Sequence, residues 1–148
     1  MSKYREIDVK FTNESAFVAA LAEVCQERGI AFEQSAANDL HLVGWLGDTR
    51  PETAKYIVRR CRLDRSSNDL GFTLQPDGTI QPLISDFDAR EGKYAGSDRE
   101  MVALQILTRV KARYAYHQTL ALATTNGYTV LERTLEDGTV ELELARYY

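Results

Sequence analysis

From Ala103 the apolar and aromatic positions Leu107, Val110, Tyr114, His117 and Ala121 recur in alternating steps of four and three, one continuous stripe along a helix. The spacing predicts one long helix, opened by Ser97-Asp98-Arg99-Glu100 with the S-x-x-E spacing of a capping box and closed by Asn126-Gly127. At 1.5 Å per residue such a helix is about 40 Å long, so an internal break is allowed for. A helix of that length with one apolar face needs a broad apolar surface to lie on, and the rest of the chain must supply it.

The rest reads mostly as strands. Ile7, Val9 and Phe11 alternate with Glu6, Asp8 and Lys10, the period of a half-buried strand from Tyr4 to Phe11. Asn13 then offers a helix cap, and Phe17, Leu21 and Val24 recur at helical spacing before Gly29 supplies a stop. Ile30 to Gln34 starts a second strand and Leu40 to Leu46 a third, with Gly47 to Pro51 as a loop. Ala54 to Leu63 is rich in β-favouring side chains. Two Asp-Gly turns mark hairpins: Asp77-Gly78 between Leu70–Leu74 and Thr79–Ile84, and Asp137-Gly138 between Tyr128–Leu135 and Thr139–Ala145. The order is strand, helix, several strands, long helix, two strands. It predicts an α+β two-layer sandwich over residues 1–148 as a single domain, with an antiparallel or mixed sheet and both helices on one face. Ile7, Val9, Phe17, Leu21, Val24, Leu107, Val110 and Leu142 are the expected core.

Composition excludes several classes. With 148 residues, 44% hydrophobic and 27% charged, the chain is long enough to bury a core without a disulfide or metal staple. A net charge of −4 argues against bulk nucleic-acid binding. No apolar run approaches a membrane span. The N-terminus has no apolar signal region, and Cys25 and Cys61 form no CxxC pair, so a cytoplasmic, reducing location is expected.

A string of residues carries a family resemblance. Arg113-Tyr114-Ala115-Tyr116-His117, then Gly127-Tyr128-Thr129-Val130 and Asp137-Gly138-Thr139-Val140, resembles the hypothetical chloroplast reading frame thirty-five family of cyanobacteria and some algal plastids. Asp69-Leu70-Gly71-Phe72, Asp77-Gly78-Thr79-Ile80 and Ile84-Ser85-Asp86-Phe87 follow in the same order. The likeness departs at Glu52–Ser67, which is arginine-rich, and at Asp88–Gly96, which lacks an aromatic run. The resemblance implies no catalytic residues. Its members' neighbourhood, near genes for a small iron–sulfur ferredoxin, implies an accessory role and an acidic ferredoxin as one partner to test; an algal source would place the protein in the plastid stroma.

The chemistry-bearing residues form no known catalytic motif. There is no Gly-rich phosphate loop, HExxH pair or G-x-S-x-G elbow. His117 and Tyr114 share the helical stripe, with Tyr116 about 160° away; His41, Val43 and Trp45 alternate on a strand. These give a candidate pocket bordered by His41, Trp45, Tyr114 and His117, the alternative reading being a small-molecule-binding domain or an enzyme of unfamiliar type, and a packed, hydrogen-bonded His117 as the plainer expectation. Gly44-Trp45-Leu46-Gly47 has GxxG spacing but lacks the flanking helices that clamp nucleic acid. Asp86, Asp88 and Glu91 resemble a D-x-D metal site but read as a solvated turn. No cofactor and no metal is expected. Cys25 reads as a core residue, and Cys61, read as part of a strand, has Arg60 and Arg62 pointing away from it. The cluster Arg59, Arg60, Arg62 and Arg65 is the most unusual local feature of an acidic chain. On a strand, Arg60 and Arg62 would share one face and Arg59 the other, giving either solubilising charge or a docking patch for an acidic partner, a protein or, as the weaker alternative, a nucleic-acid backbone.

Overall fold

The computed structural model describes residues 2–89 and 99–146. β1 (Tyr4–Glu6) leads to α1 (Glu14–Glu27), then β2 (Glu33–Gln34), β3 (Leu40–Val43), β4 (Thr49–Ala54) and β5 (Tyr56–Val58). A 3₁₀ turn (Arg60–Arg62) separates β5 from the hairpin β6 (Leu70–Leu74) and β7 (Ile80–Ser85), and α2 (Val102–Thr125) precedes the hairpin β8 (Thr129–Thr134) and β9 (Val140–Ala145). The architecture is α+β, with antiparallel sheets and a C-terminal helix followed by a hairpin. Among the described residues no helix is long and apolar enough to cross a membrane.

The central sheet has five strands in the order β1-β7-β6-β5-β2, and every pairing is antiparallel. Strand alternation divides its side chains between two faces. Tyr56, Val58, Leu70, Phe72, Ile80 and Ile84 pack under both helices, against Phe17, Leu21 and Val24 of α1 and Ile106, Leu107 and Val110 of α2. Ile57 and Leu83 point the other way and meet Leu42 and Ala54 of the β3–β4 hairpin, which forms a smaller layer on the far side.

Local chemistry explains most boundaries. The Asn13 side chain accepts from the Ala16 amide at 3.1 Å and starts α1. In both Asp-Gly turns the glycine has the positive φ that the reversal needs, +85° at Gly78 and +87° at Gly138, while the aspartate oxygen accepts from the threonine amide that follows.

Several elements depart from expectation. β1 ends at Glu6; the Ile7 amide still donates to the Pro82 carbonyl at 3.1 Å, but the Val9 amide folds back onto the Ile7 carbonyl at 2.7 Å, a three-residue turn, and the next bridge to β7 is Phe11 opposite Ile80. Gly47–Pro51 is not all loop: β4 begins at Thr49 and carries Pro51, in a two-stranded pair where a missing donor is tolerated. The strand begun at Leu40 ends at Val43, leaving Trp45 and Leu46 exposed in the turn. Of the proposed capping box, Ser97 and Asp98 lie outside the described residues, and Glu100 precedes the helix. The Val102 amide donates instead to the Asp64 carboxylate at 2.7 Å, a cap supplied from a distant loop. α2 is unbroken. Its first half is buried, but beyond Val110 the stripe emerges, and β8–β9 is a separate two-stranded sheet. Leu142 therefore lies in that hairpin and not in the core, while Ile7 and Val9 are half-buried against it.

Candidate functional site: the arginine turn

The strand expected over Ala54–Leu63 ends at Val58, and the reason is Asp69. Wholly buried, its carboxylate accepts from the Arg60 amide at 2.6 Å through one oxygen, and from the Arg59 guanidinium (2.7 Å) and the Val43 amide (2.8 Å) through the other. The Arg60 amide is thereby withdrawn from any ladder, and the chain turns into the 3₁₀ segment Arg60–Arg62.

The four arginines consequently play unlike parts. Arg59 is a structural member, holding Glu33 at 2.6 Å, Asp69, and the His41 carbonyl at 2.9 Å. These contacts, the Glu33 bond foremost, raise its pKa further above an already basic value. Arg60 donates to two backbone carbonyls, of Ser67 and Arg65, each at 3.0 Å, so its position is fixed while its charge stays uncompensated. Arg62 and Arg65 are exposed and make no ion pair among the described residues. Face alternation no longer applies: in a 3₁₀ turn successive side chains are about 120° apart, and Arg60 and Arg62 flank the exposed Cys61.

Beside the turn lies an open cleft of about 470 Å³ lined by His41, Val43, Thr49, Arg59, Arg60 and Cys61 among others. His41 Nδ1 sits 2.8 Å from the Arg50 carbonyl, which can only accept, so that nitrogen carries the proton. Of the four residues proposed for a pocket, His41 alone borders this cleft, and the structure does not bring the four together. His41 and Trp45 belong to the β3–β4 layer, whereas Tyr114 and His117 lie on α2 across the sheet. The Tyr114 hydroxyl accepts from the Thr12 and Asn13 amides at 3.0 and 3.1 Å, fastening α2 to the start of α1. His117 Nε2 is 2.6 Å from Glu23, which also pairs with Arg113 at 2.6 Å. Burial opposes ionisation of Glu23, but the bonds from His117 and Arg113 prevail and hold its carboxyl below the usual range. His117 is thus hydrogen-bonded and half-buried.

The two aspartates of the D-x-D string do not converge. Asp86 is exposed and pairs with Arg5 at 3.4 Å. Asp88 is wholly buried, accepting from the Ser85 hydroxyl (2.8 Å) and the Asn68 amide (3.0 Å), and burial pushes its carboxyl upward. Glu91 lies outside the described residues. No group of three or more metal-ligating side chains occurs among the described residues.

One surface was not anticipated. Of the seven large hydrophobic side chains that stand exposed among the described residues, five (Leu122, Tyr128, Leu131, Leu135 and Leu144) lie on the end of α2 and its hairpin. The sequence signal was there: Leu131 and Leu135 alternate out of phase with Val140, Leu142 and Leu144, so the hairpin carries leucines on both faces.

No curated protein and no solved structure matches the chain. A family model does, described as "Protein of unknown function (DUF1257)" and matching residues 24–143. That stretch holds most of the sheet, the arginine turn, α2 and nearly all of the terminal hairpin, so the chain belongs to the DUF1257 family.

Proposed function

We propose that this is a small non-catalytic accessory or adaptor protein that acts by binding another protein, and that the arginine turn receives an acidic surface of that partner. The supporting observation is the state of the charges. Arg60, Arg62 and Arg65 carry three guanidinium groups that no carboxylate among the described residues neutralises, on a turn held in place by the buried Asp69. Unpaired cations on a fixed element favour charge-steered encounter with an acidic partner. The resemblance to the chloroplast reading frame thirty-five family adds a photosynthetic setting, cytoplasmic or stromal, and makes an acidic ferredoxin the first partner to try.

The test is charge reversal at Arg62→Glu and Arg65→Glu, which make no side-chain bonds among the described residues, rather than at Arg60, which anchors the loop. Surface charges contribute little to stability, so the double variant should melt like the wild type. Cross-linking and mass spectrometry in the native cell should then lose the acidic partner. Unchanged recovery of the same partners would return the turn to solvated charge, and loss of a nucleic-acid cross-link instead would favour a phosphate backbone as the ligand.

A further inference from the structure

The β8–β9 hairpin packs mainly on α2 and pairs with no other strand among the described residues, so both its outer edges are open. An isolated two-stranded hairpin is marginal in water, and a free edge presents unpaired N–H and C=O groups to any strand that can reach it. The two edges differ. β9 carries Glu141 and Glu143, so pairing it with another β9 about Leu142 would oppose Glu141 to Glu143, and pairing about either glutamate would oppose that residue to itself. β8 has no proline or lysine, and at its centre Leu131 is 53% exposed.

The bonding phase of β8 is fixed. The Leu135 amide donates to the Thr139 carbonyl at 2.8 Å, and bonded pairs recur at every second residue. Arg133, Leu131 and Thr129 therefore turn their amides toward β9, while Val130, Glu132 and Thr134 turn theirs outward. We propose that this outer edge of β8 pairs antiparallel with β8 of a second copy of the chain, about a two-fold axis at Leu131, to form one four-stranded sheet. In this register Val130 and Glu132 of the two copies are bonded pairs, as their outward amides require. Thr129 faces Arg133 and Tyr128 faces Thr134, and no like charges stand directly opposite. Leu131 meets its own symmetry mate in the non-bonded pair, where side chains approach most closely.

The Tyr116 hydroxyl donates to Glu132 at 2.7 Å and α2 borders Val140 and Leu142, so the helix lies on the even-numbered face of the hairpin, opposite the face that carries Leu131. The two-fold axis sets the two α2 helices antiparallel on one side of the joint sheet, with the two larger sheets at opposite ends. This surface is separate from the arginine turn, and neither depends on the other.

The experiment uses the full chain. Sedimentation equilibrium across a wide concentration series should show a dimer, and Leu131→Glu, which sets two carboxylates on the axis, should leave a folded monomer whose melting temperature, unlike that of the wild type, does not depend on protein concentration. In a Cys61→Ser background, Leu131→Cys should cross-link to itself under mild oxidation, whereas Leu135→Cys, on the same face but off the axis, should not. A wild type that stays monomeric throughout overturns the proposal. So does a dimer that survives Leu131→Glu, or one that cross-links equally through Leu135→Cys.

Discussion

Arg59 reaches Asp69 across 2.7 Å, and with that bond the first arginine of the cluster becomes a half-buried part of the framework. Asp69 is completely buried, and its charge is matched by one guanidinium and two backbone amides. Removing the guanidinium leaves a buried carboxylate without the one counter-ion it has among the described residues. Arg59→Ala should therefore cost about 3 kcal/mol, whereas Arg62→Ala should change stability by less than about 0.5 kcal/mol. Urea unfolding of the two variants side by side checks the contrast.

Leu107 sits at the centre of the α2 contact with the sheet and is 3% exposed. Truncation to alanine opens a cavity that rigid sheet neighbours cannot close, at a cost of about 2–5 kcal/mol. The midpoint of chemical unfolding should fall accordingly.

At Gly71 the β3–β4 layer packs tightly on the central sheet. A Cβ there would stand 3.1 Å from the Ala54 Cβ and from a Leu42 methyl, so a side chain must push the layer outward. Gly71→Val should destabilise by about 1–3 kcal/mol through overpacking. Trp45, the sole tryptophan, lies at the tip of that hairpin, and its emission should shift in the variant.

The two thiols should separate cleanly. Cys61 is exposed, whereas Cys25 is buried in α1 and its pKa is pushed up to about 11 by that burial. A thiol reagent should label one cysteine in the native protein and the second only on unfolding, and Cys61→Ser should abolish the native reaction.

Acid should loosen the fold through three carboxylates. Lys55 and Tyr56 both donate to Glu14 at 2.6 Å and lower its pKa; Arg59 does the same for Glu33, and His117 with Arg113 for Glu23. Each binds its proton less readily when folded than when unfolded. Their stabilisation is present above the unfolded carboxylate range near about pH 4 and is lost as pH falls through the lower folded values. The melting temperature should drop on acidification, and Glu14→Gln should start lower at neutral pH and fall less steeply.

What could be read directly from the chain was local. The caps and turns at Asn13, Asp77-Gly78 and Asp137-Gly138 depend on residues a few positions apart, and both helices follow from their own periodicity. The arginine turn was not legible, because the residue that ends β5 is Asp69, which acts on Arg60 only once β6 has folded beside it. Nor does any pattern in Leu40–Ala54 say which face of the sheet the hairpin will cover; the helices take one face, and the room that Gly71 leaves for Leu42 and Ala54 on the other is visible only in three dimensions. The stripe on α2 marked a helix correctly but could not say where its partner sheet stops, so His117 and Ala121 lie past the buried stretch.

An unbroken α2 also ties the hairpin to the central sheet by angular phase. One residue inserted near Lys111 would rotate everything after it by about 100° around the helix axis, swinging Tyr114 away from Thr12 and turning the hairpin off its bearing. Seven inserted residues would come within about 20° of the original direction while lengthening the arm by about 10 Å. Relatives of this chain can therefore vary freely in loop length, yet should change the length of this helix only in steps close to whole pairs of turns.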